Sequence, residues 1–284
     1  MRLAYLGSPQ AAVPPLRALV GDGHDVAVVV TQPDKKRGRG GALSPSPVKA
    51  AATELGIPVT TKVDDVLDAG VELGVVVAFG RIIKPHVLAR VPMVNLHFSL
   101  LPRWRGAAPV ERAILAGDAE TGVCVMAVEE GLDTGGVYAL ERVGIGPNES
   151  ADELRARLVD VGTELLVRTL RAPLGDPAPQ EGEPTYAAKI EPAELELDWT
   201  KSAADLHALT RIGKPWTTFR GKRLRILEAR PTVARLEPGE LQGTTVGCGS
   251  GALELLTVQP EGKAAQDASA WRNGARPQPG ERLG

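Results

Sequence analysis

The stretch that most constrains the fold of this chain runs from Val94 to Gly106 and reads VNLHFSLLPRWRG. Its first half is typical of a strand, on which Asn95 and His97 point to one face and their apolar neighbours point to the other. Its second half breaks at Pro102 and continues as a polar loop. An amide and an imidazole at the carboxyl end of an apolar strand are a common arrangement for a reaction site in α/β proteins. Either residue alone would more often be structural.

A second apolar run, residues 122–128, predicts another buried strand, and it leads into the turn EEGLDTGG. Asp133 lies between Gly131 and Gly135 in that turn, where its carboxylate could reach a neighbouring strand end. The alternative is an Asx turn, in which the carboxylate only caps its own backbone. Together with Asn95 and His97, Asp133 would add a proton acceptor to a hydrogen-bond donor and a cationic ring.

Short apolar runs alternate with helical stretches in the first part of the chain. Strands are predicted at 1–6, 25–30, 73–78 and 94–97, and helices at 11–20, 48–55, 85–88, 109–117 and 150–170. This alternation indicates an α/β fold with a parallel, doubly wound sheet. Ligands bind beyond the carboxyl ends of such strands, where Gly7, Phe79 and His97 should converge. The chain opens without a GxGxxG pattern, which argues against a dinucleotide site and hydride transfer.

Residues 31–47 read TQPDKKRGRGGALSPSP and are too polar for a core and too long for an ordinary connection. The segment lacks the P-loop pattern. One interpretation is a solvated, disordered loop. The other is a flexible basic finger that becomes ordered on a phosphate backbone. Its basic residues, the candidate nucleic-acid contacts, are Lys35, Lys36, Arg37 and Arg39.

Composition changes twice in the last part of the chain. Residues 172–200 are proline-rich and acidic, which indicates a linker between domains at 1–171 and 201–284. Residues 201–235 hold nine Lys or Arg, including Lys222 and Arg223, against Asp205 and Glu228. A helix at 206–212 and strands at 222–229, 240–246 and 253–258 predict a small β-barrel. The two basic regions favour an anionic partner that contacts both domains, although a solvated basic face is the alternative.

Charge and composition limit the remaining classes of function. The chain has 284 residues, 43% of them hydrophobic, and a formal net charge of −2, so it is not a globally basic nucleic-acid coat. No apolar run approaches the length of a membrane span, and the N-terminus does not read as a signal peptide. Cys124 and Cys248 are typical of reduced thiols in the cytoplasm, and neither Cys nor His shows metal-ligand spacing. We expect a soluble cytoplasmic monomer without a metal.

Several of these motifs together resemble the formyltransferases that use 10-formyltetrahydrofolate. They are the Asn95–His97 pair, the SLLP of Ser99–Pro102, Arg105 with Gly106, and the GLDTG of Gly131–Gly135. The opening MRLAYLGSP also fits this resemblance. The TQPD with the basic loop, and the tail domain with the Pro215–Trp216 pair and GKRLRI, narrow the resemblance to methionyl-tRNA formyltransferases. It extends over nearly the whole chain.

The resemblance implies a Rossmann-like catalytic domain followed by an oligonucleotide-binding (OB)-like barrel. It also implies transfer of a formyl group from 10-formyltetrahydrofolate to methionyl initiator tRNA, with the basic loop in the acceptor stem. The barrel would contribute Lys222 and Arg223 to tRNA binding. The folate pocket would be lined by Val77, Ala78, Phe79, Ser99, Leu100, Leu101 and Pro102.

Formyl transfer to an amine passes through a tetrahedral intermediate with a developing oxyanion, which assigns a role to each polar residue. Asn95 would polarise the formyl group, His97 would stabilise the oxyanion, and Asp133 would keep His97 charged and assist proton transfer. One alternative acceptor is a small amine, of a nucleotide sugar or a glycinamide ribotide, against which the basic regions argue. Another alternative is a folate- or nucleic-acid-binding module without catalysis.

Overall fold

A computed structural model of the chain describes residues 1–37 and 41–284. These residues form two compact units. The first comprises residues 1–110, 119–145 and 153–188, and the second comprises 111–118, 146–152 and 189–284. Each unit has a buried apolar cluster of its own.

The first unit is built on strands that alternate with helices. Its strands are β1 (Arg2–Gly7), β2 (Asp25–Val30), β3 (Lys35–Arg37), β4 (Ala42–Ser44), β5 (Val59–Thr60), β6 (Leu73–Val77), β7 (Met93–His97), β8 (Arg105–Gly106), β9 (Glu120–Ala127), β10 (Val137–Gly144) and β11 (Tyr186–Ala187). The helices up to residue 170 are α1 (Val13–Gly21), α2 (Pro47–Glu54), α3 (Pro85–Leu88), α4 (Pro109–Leu115) and α5 (Ala151–Leu170).

The main sheet of the described residues has the strand order β10-β9-β7-β6-β1-β2-β5. Strands β5, β2, β1, β6 and β7 are parallel, which confirms the Rossmann-like α/β core. The sheet then continues with two antiparallel strands, β9 and β10. Strand β9 is the predicted apolar run, whereas β10 was not predicted. Only Val143 of β10 is buried, and Glu141 and Arg142 interrupt its sequence, so the strand at this sheet edge lacks the continuous apolar pattern of the inner strands.

Part of the segment predicted as a loop at 31–47 is a hairpin. Strand β3 pairs antiparallel with β4, with Lys35 opposite Ser44 and Arg37 opposite Ala42. Backbone hydrogen bonds hold such a pair whatever the polarity of its side chains, so the composition gave no signal for it. Arg39 lies outside the described residues.

Helix α5 determines which face of β7 is available for chemistry. Its residues Leu154, Leu158 and Leu165 are buried, as the apolar periodicity predicts. Gly162 lies so close to β7 that a Cβ there would be 3.1 Å from Cδ2 of Leu96. Because side chains alternate along a strand, Asn95 and His97 point away from α5.

The second unit contains an antiparallel sheet with the order β12-β13-β16-β15-β14, and β17 pairs with β16. The C-terminal segment bridges the two outer strands. The amide of Gly284 donates to the carbonyl of Thr218 (3.0 Å), and the amide of Leu241 donates to the carbonyl of Glu281 (3.1 Å). These bonds confirm the predicted small barrel. Its elements are α6 (Ala203–Ile212), β12 (Trp216–Phe219), β13 (Lys222–Thr232), β14 (Leu241–Gln242), β15 (Thr245–Gly247), β16 (Ala252–Pro260), β17 (Gln266–Asp267) and α7 (Ala268–Ala275).

One barrel strand differs from its prediction. The run 240–246 is not a single strand but the hairpin of β14 and β15, which turns at Gly243 (φ 66°). Leu241 and Val246 are both buried, so the apolar residues on either side of the turn resemble one continuous strand in the sequence. Strands β12 and β17 and helix α7 were not predicted.

Candidate active site

The two polar residues of β7 share the face of the sheet that α5 leaves uncovered. Strand β7 lies between β6 and β9, with Asn95 opposite Val76 on one side and Met126 on the other. His97 is only 5% exposed, whereas Asn95 is half-buried. Asn95 can therefore meet a ligand directly, and His97 lies deeper on the same face.

The imidazole of His97 lies between the loop after β7 and the turn after β9. Its Nε2 is 3.0 Å from the carbonyl oxygen of Trp104, and its Nδ1 is 3.6 Å from Oδ2 of Asp133. Because a carbonyl only accepts hydrogen bonds, Nε2 is the donor in the first contact. Addition of a proton to Nδ1, the nitrogen that faces Asp133, therefore makes the ring cationic.

Asp133 adopts an uncommon backbone conformation, with φ at 51°. Asp enters this left-handed region more readily than most non-glycine residues, although the conformation remains uncommon. The amide of Gly106 donates to Oδ2 of Asp133 (2.8 Å). At Gly135 a Cβ would lie 2.0 Å from the carbonyl oxygen of Ala127, so the turn requires glycine there. The carboxylate thus contacts the loop and the imidazole from a constrained turn.

The stretch after β6 offers backbone rather than side chains to this site. Val77 and Phe79 are buried, and Phe79 packs in the core with Leu6 and Val30. Ala78 is exposed, at a φ of 47°. Of the three folate-lining residues predicted here, only Ala78 and the backbone around it can face a ligand.

The predicted folate-lining residues after β7 have different environments. Ser99 is fully buried, and its hydroxyl donates to the carbonyl of Arg103 (2.6 Å). Leu100 packs on β9, where a Cβ at Gly122 would lie 2.5 Å from Cδ2 of Leu100. Leu101 and Pro102 are half-buried and joined by a cis peptide bond. Ser99 therefore shapes the loop, and the other three present apolar surface.

Comparison with known proteins assigns this arrangement to a family. Residues 1–170 match the family model described as "Formyl transferase", and residues 189–276 match "Formyl transferase, C-terminal domain". The chain is 44% identical to a methionyl-tRNA formyltransferase of Methylobacterium sp. (strain 4-46), over 100% of this chain and 99% of that protein. It is also 44% identical to the Thermus thermophilus enzyme, with the same coverage. The chain belongs to the methionyl-tRNA formyltransferase family.

Solved structures of other proteins share the fold. The N-formyltransferase of Helicobacter canadensis, in complex with folinic acid and dTDP-3-aminofucose, aligns with a TM-score of 0.68 at 17% identity, over 91% of this chain and 98% of that chain. HypX from Aquifex aeolicus in complex with tetrahydrofolic acid aligns with a TM-score of 0.67 at 17% identity, over 96% of this chain and 47% of that chain. At these identities the likeness concerns the fold alone.

The basic residues predicted to contact tRNA lie in both units of this formyltransferase. In the first unit, Lys35 is exposed on β3 and its Nζ donates to Oε1 of Gln32 (2.7 Å). Lys36 and Arg37 follow it in β3. In the second unit, exposed Lys222 and Arg223 begin β13. The Arg223 guanidinium lies over the ring of Trp216, 4.0 Å from its centroid.

The segment predicted as a linker contributes residues that the motifs of the formyltransferase family did not reveal. The amide of Trp104 donates to Oγ1 of Thr185 (2.9 Å), and the side chain of Gln180 contacts the turn that carries Asp133. Both linker residues lie in a proline-rich acidic stretch without hydrophobic periodicity, so no sequence signal singled them out.

The two thiols are unsuited to nucleophilic chemistry. Cys124 and Cys248 are buried and unpaired, and burial raises the pKa of each to about 11. Over residues 1–37 and 41–284, no group of three or more His, Cys, Asp or Glu could hold a metal ion. No helix in the same ranges is long and apolar enough to cross a bilayer.

Proposed function

We propose that the protein transfers the formyl group of 10-formyltetrahydrofolate to the amino group of methionyl initiator tRNA, giving N-formylmethionyl-tRNA for translation initiation. It would do so in the cytoplasm, as a monomer and without a metal. The observation that carries the proposal is the His97–Asp133 contact beside Asn95, in a chain that is 44% identical over its full length to methionyl-tRNA formyltransferases. The folate ligands of the structural neighbours support the choice of donor.

Asn95 provides the hydrogen-bond donor for the reacting oxygen. When the amine attacks the formyl carbon, a C–N bond forms and the carbonyl oxygen takes up the negative charge. The Asn95 amide group is half-buried on β7, so its N–H donors are partly shielded from water. A donor of this kind stabilises the developing oxyanion more than the ground-state carbonyl.

His97 provides positive charge next to the same oxygen. Its Nε2–H is held by the Trp104 carbonyl, and its Nδ1 lies 3.6 Å from the Asp133 carboxylate. Nδ1 is the nitrogen that carries the additional proton of an imidazolium, and the Asp133 carboxylate faces it as the counter-charge. The cation then stabilises the tetrahedral intermediate by its charge, without leaving its place between the loop and the turn.

Asp133 manages the proton that has to move during the transfer. The attacking amine loses one proton as the intermediate forms, and N10 of the folate gains one as its bond to the formyl carbon breaks. Asp133 accepts the first proton, directly or through water, and returns it to N10, so that the total number of protons is unchanged.

The tRNA acceptor is favoured by the basic surfaces. Exposed Lys35 lies on the hairpin of the first unit, and Lys222 and Arg223 begin a barrel strand. Trp216, half-buried beneath Arg223, adds an aromatic face of the kind on which bases stack. A small amine acceptor would use neither surface.

The decisive experiment measures formyl transfer from 10-formyltetrahydrofolate to initiator and elongator methionyl-tRNA. We expect transfer to the initiator only, and a loss of about 10²–10⁴-fold in kcat for His97→Ala with tRNA binding retained. The matched control is His86→Ala, which removes a histidine that pairs with Asp64 at an exposed position of the same unit. It should leave turnover unchanged.

Three outcomes would contradict parts of the proposal. Near-normal turnover by His97→Ala would remove His97 from the mechanism. Folate-dependent formylation of a small amine, with no transfer to tRNA, would keep the chemistry and change the acceptor. Folate binding without any turnover would indicate a binding module.

A further inference from the structure

A short part of the linker returns to the catalytic sheet and contacts the elements that hold His97 and Asp133. We call residues 178–187 the strap. Ala178 forms two backbone hydrogen bonds with Val137 of β10 (2.7 and 2.9 Å), and β11 pairs in parallel with β8. The strap lies between the two ranges that the family models match, residues 1–170 and 189–276. It nevertheless belongs to the same compact unit as the active site.

Gln180 uses its whole side-chain amide to join two parts of the site. Its Nε2 donates to the carbonyl oxygens of Asp133 and Gly135, both at 2.8 Å. Its Oε1 accepts from Nε (3.0 Å) and Nη2 (2.6 Å) of Arg105. Because carbonyls only accept and a guanidinium only donates, the orientation of the amide is unambiguous. Two donors and two acceptor positions are all that a glutamine amide offers.

These bonds act on a turn with an uncommon backbone conformation. Asp133 has a left-handed φ of 51°. Its backbone carbonyl is held by Gln180, and its carboxylate by the amide of Gly106, the residue after Arg105. The side chain of Gln180 thus fixes the turn that carries the Asp133 carboxylate. It also fixes Arg105, the neighbour of the residue whose amide donates to that carboxylate. The position of the turn determines the 3.6 Å distance between Asp133 Oδ2 and His97 Nδ1.

We propose that Gln180 is a positioning residue for formyl transfer, because it fixes Asp133 against His97 from the linker. The inference rests on the proposed role of Asp133. It predicts that changing Gln180 lowers kcat while leaving KM for tRNA and for the folate unchanged. A displacement of a reacting group by about 1 Å costs on the order of a hundredfold in rate, which sets the upper end of the expected loss.

The test is the isosteric variant Gln180→Glu. Glutamate keeps the contact with Arg105 but cannot donate to the two carbonyls, so it removes the hold on the turn and adds a negative charge that faces both carbonyl oxygens. We expect kcat to fall by about tenfold to a hundredfold with an unchanged melting temperature. The matched control is Gln259→Glu in the barrel, where the amide also accepts from an arginine, Arg225, and donates to a carbonyl, that of Lys263. The control should match the wild type.

A double-mutant cycle separates positioning from a general structural effect. In an Asp133→Asn background, measured in single turnovers, Gln180→Glu should change the rate by less than about twofold, because the group that it positions is already disabled. An equal loss in both backgrounds, or wild-type kcat for Gln180→Glu, would overturn the inference. If Asp133→Asn alone kept wild-type turnover, the role of Asp133 would fail instead. Gln180→Met, which adds no charge, replaces Gln180→Glu if that variant does not fold.

Discussion

The catalytic end of β7 and the basic start of β13 both place polar residues on strands, but in opposite environments. His97 is almost completely buried, and both of its nitrogens face an acceptor, the Trp104 carbonyl on one side and Asp133 on the other. Lys222 and Arg223 are exposed on the surface of a separate unit.

This contrast matches the role proposed for each region. Groups that stabilise a transition state act best when they are desolvated and fixed before the reaction, since no energy is then spent on reorienting them. Groups that bind a phosphate backbone act through charge and displaced counterions, which requires that they stay accessible to the solvent. Substitutions in the first region should therefore change kcat, and substitutions in the second should change KM and its dependence on salt.

After His97→Ala, the largest effect is expected for Asn95→Asp. The change keeps the volume, removes the N–H donors and adds negative charge beside the developing oxyanion. We expect kcat to fall by about 10²–10³-fold in the methionyl-tRNA assay. Asn273→Asp, at an exposed position of α7, is the control and should be neutral. Equal kcat values for the two variants would exclude Asn95 from oxyanion stabilisation.

The next effect tests how rigid the Asp133 turn is. Gly135→Ala would place a Cβ 2.0 Å from the carbonyl oxygen of Ala127, so backbone has to move. We expect a loss of about 1–3 kcal/mol in the free energy of unfolding, measured by denaturant titration. Gly175→Ala is the control, because a Cβ there meets nothing within 4 Å. A fully stable Gly135→Ala protein would show that the turn adapts.

A smaller effect is expected for the basic residues at the start of β13. Lys222→Ala and Arg223→Ala should raise KM for tRNA several-fold and leave kcat unchanged. Each should also lower the slope of log affinity against log salt by about 1 for every phosphate that the variant no longer binds. Arg90→Ala removes an exposed charge from the first unit and serves as the control. If the salt dependence did not change, the basic residues of β13 would form a solvated face that does not bind tRNA.

The smallest effect concerns the closure of the barrel. Hydrogen bonds from Arg220, and from the amide of Gln278, lower the pKa of Glu281 from 4.5 to about 2. A lowered pKa in the folded state stabilises the protein above the unfolded value, and this stability is lost as the pH falls through the folded one. Glu281→Gln should therefore melt below the wild type at pH 7, and the difference should vanish between pH 4.5 and about 2. A constant difference across that range would contradict the assignment.

The elements that could be predicted from the sequence are those whose burial dictates their composition. Strand β2 and helix α3 have the predicted bounds, and β1, β6 and β7 differ by about a residue at either end. A parallel strand covered on both faces has to be apolar throughout, so it leaves a continuous signal. Backbone hydrogen bonds hold exposed β10, the basic β3–β4 hairpin and the turn at Gly243. Such bonds leave no continuous apolar signal in the sequence.

The residues of the candidate site also differ in whether they could be predicted from the sequence. Asn95, His97 and Asp133 were recognisable because amide, imidazole and carboxylate side chains are unusual at the ends of apolar strands. The groups that orient them include the carbonyl of Trp104 and the amide of Gly106, and every residue has these backbone groups. Gln180 lies 47 positions from Asp133 in a stretch of ordinary linker composition, so only the folded chain brings the two together.

The strap also has a consequence for protein engineering. A hybrid enzyme that joined the catalytic half of this chain to the tail of a relative at residue 171 would follow the boundary of the family match. It would nevertheless exchange Gln180 and Thr185 for foreign residues beneath an otherwise intact active site. A crossover after residue 188 would transfer the barrel and keep the whole strap with the catalytic half.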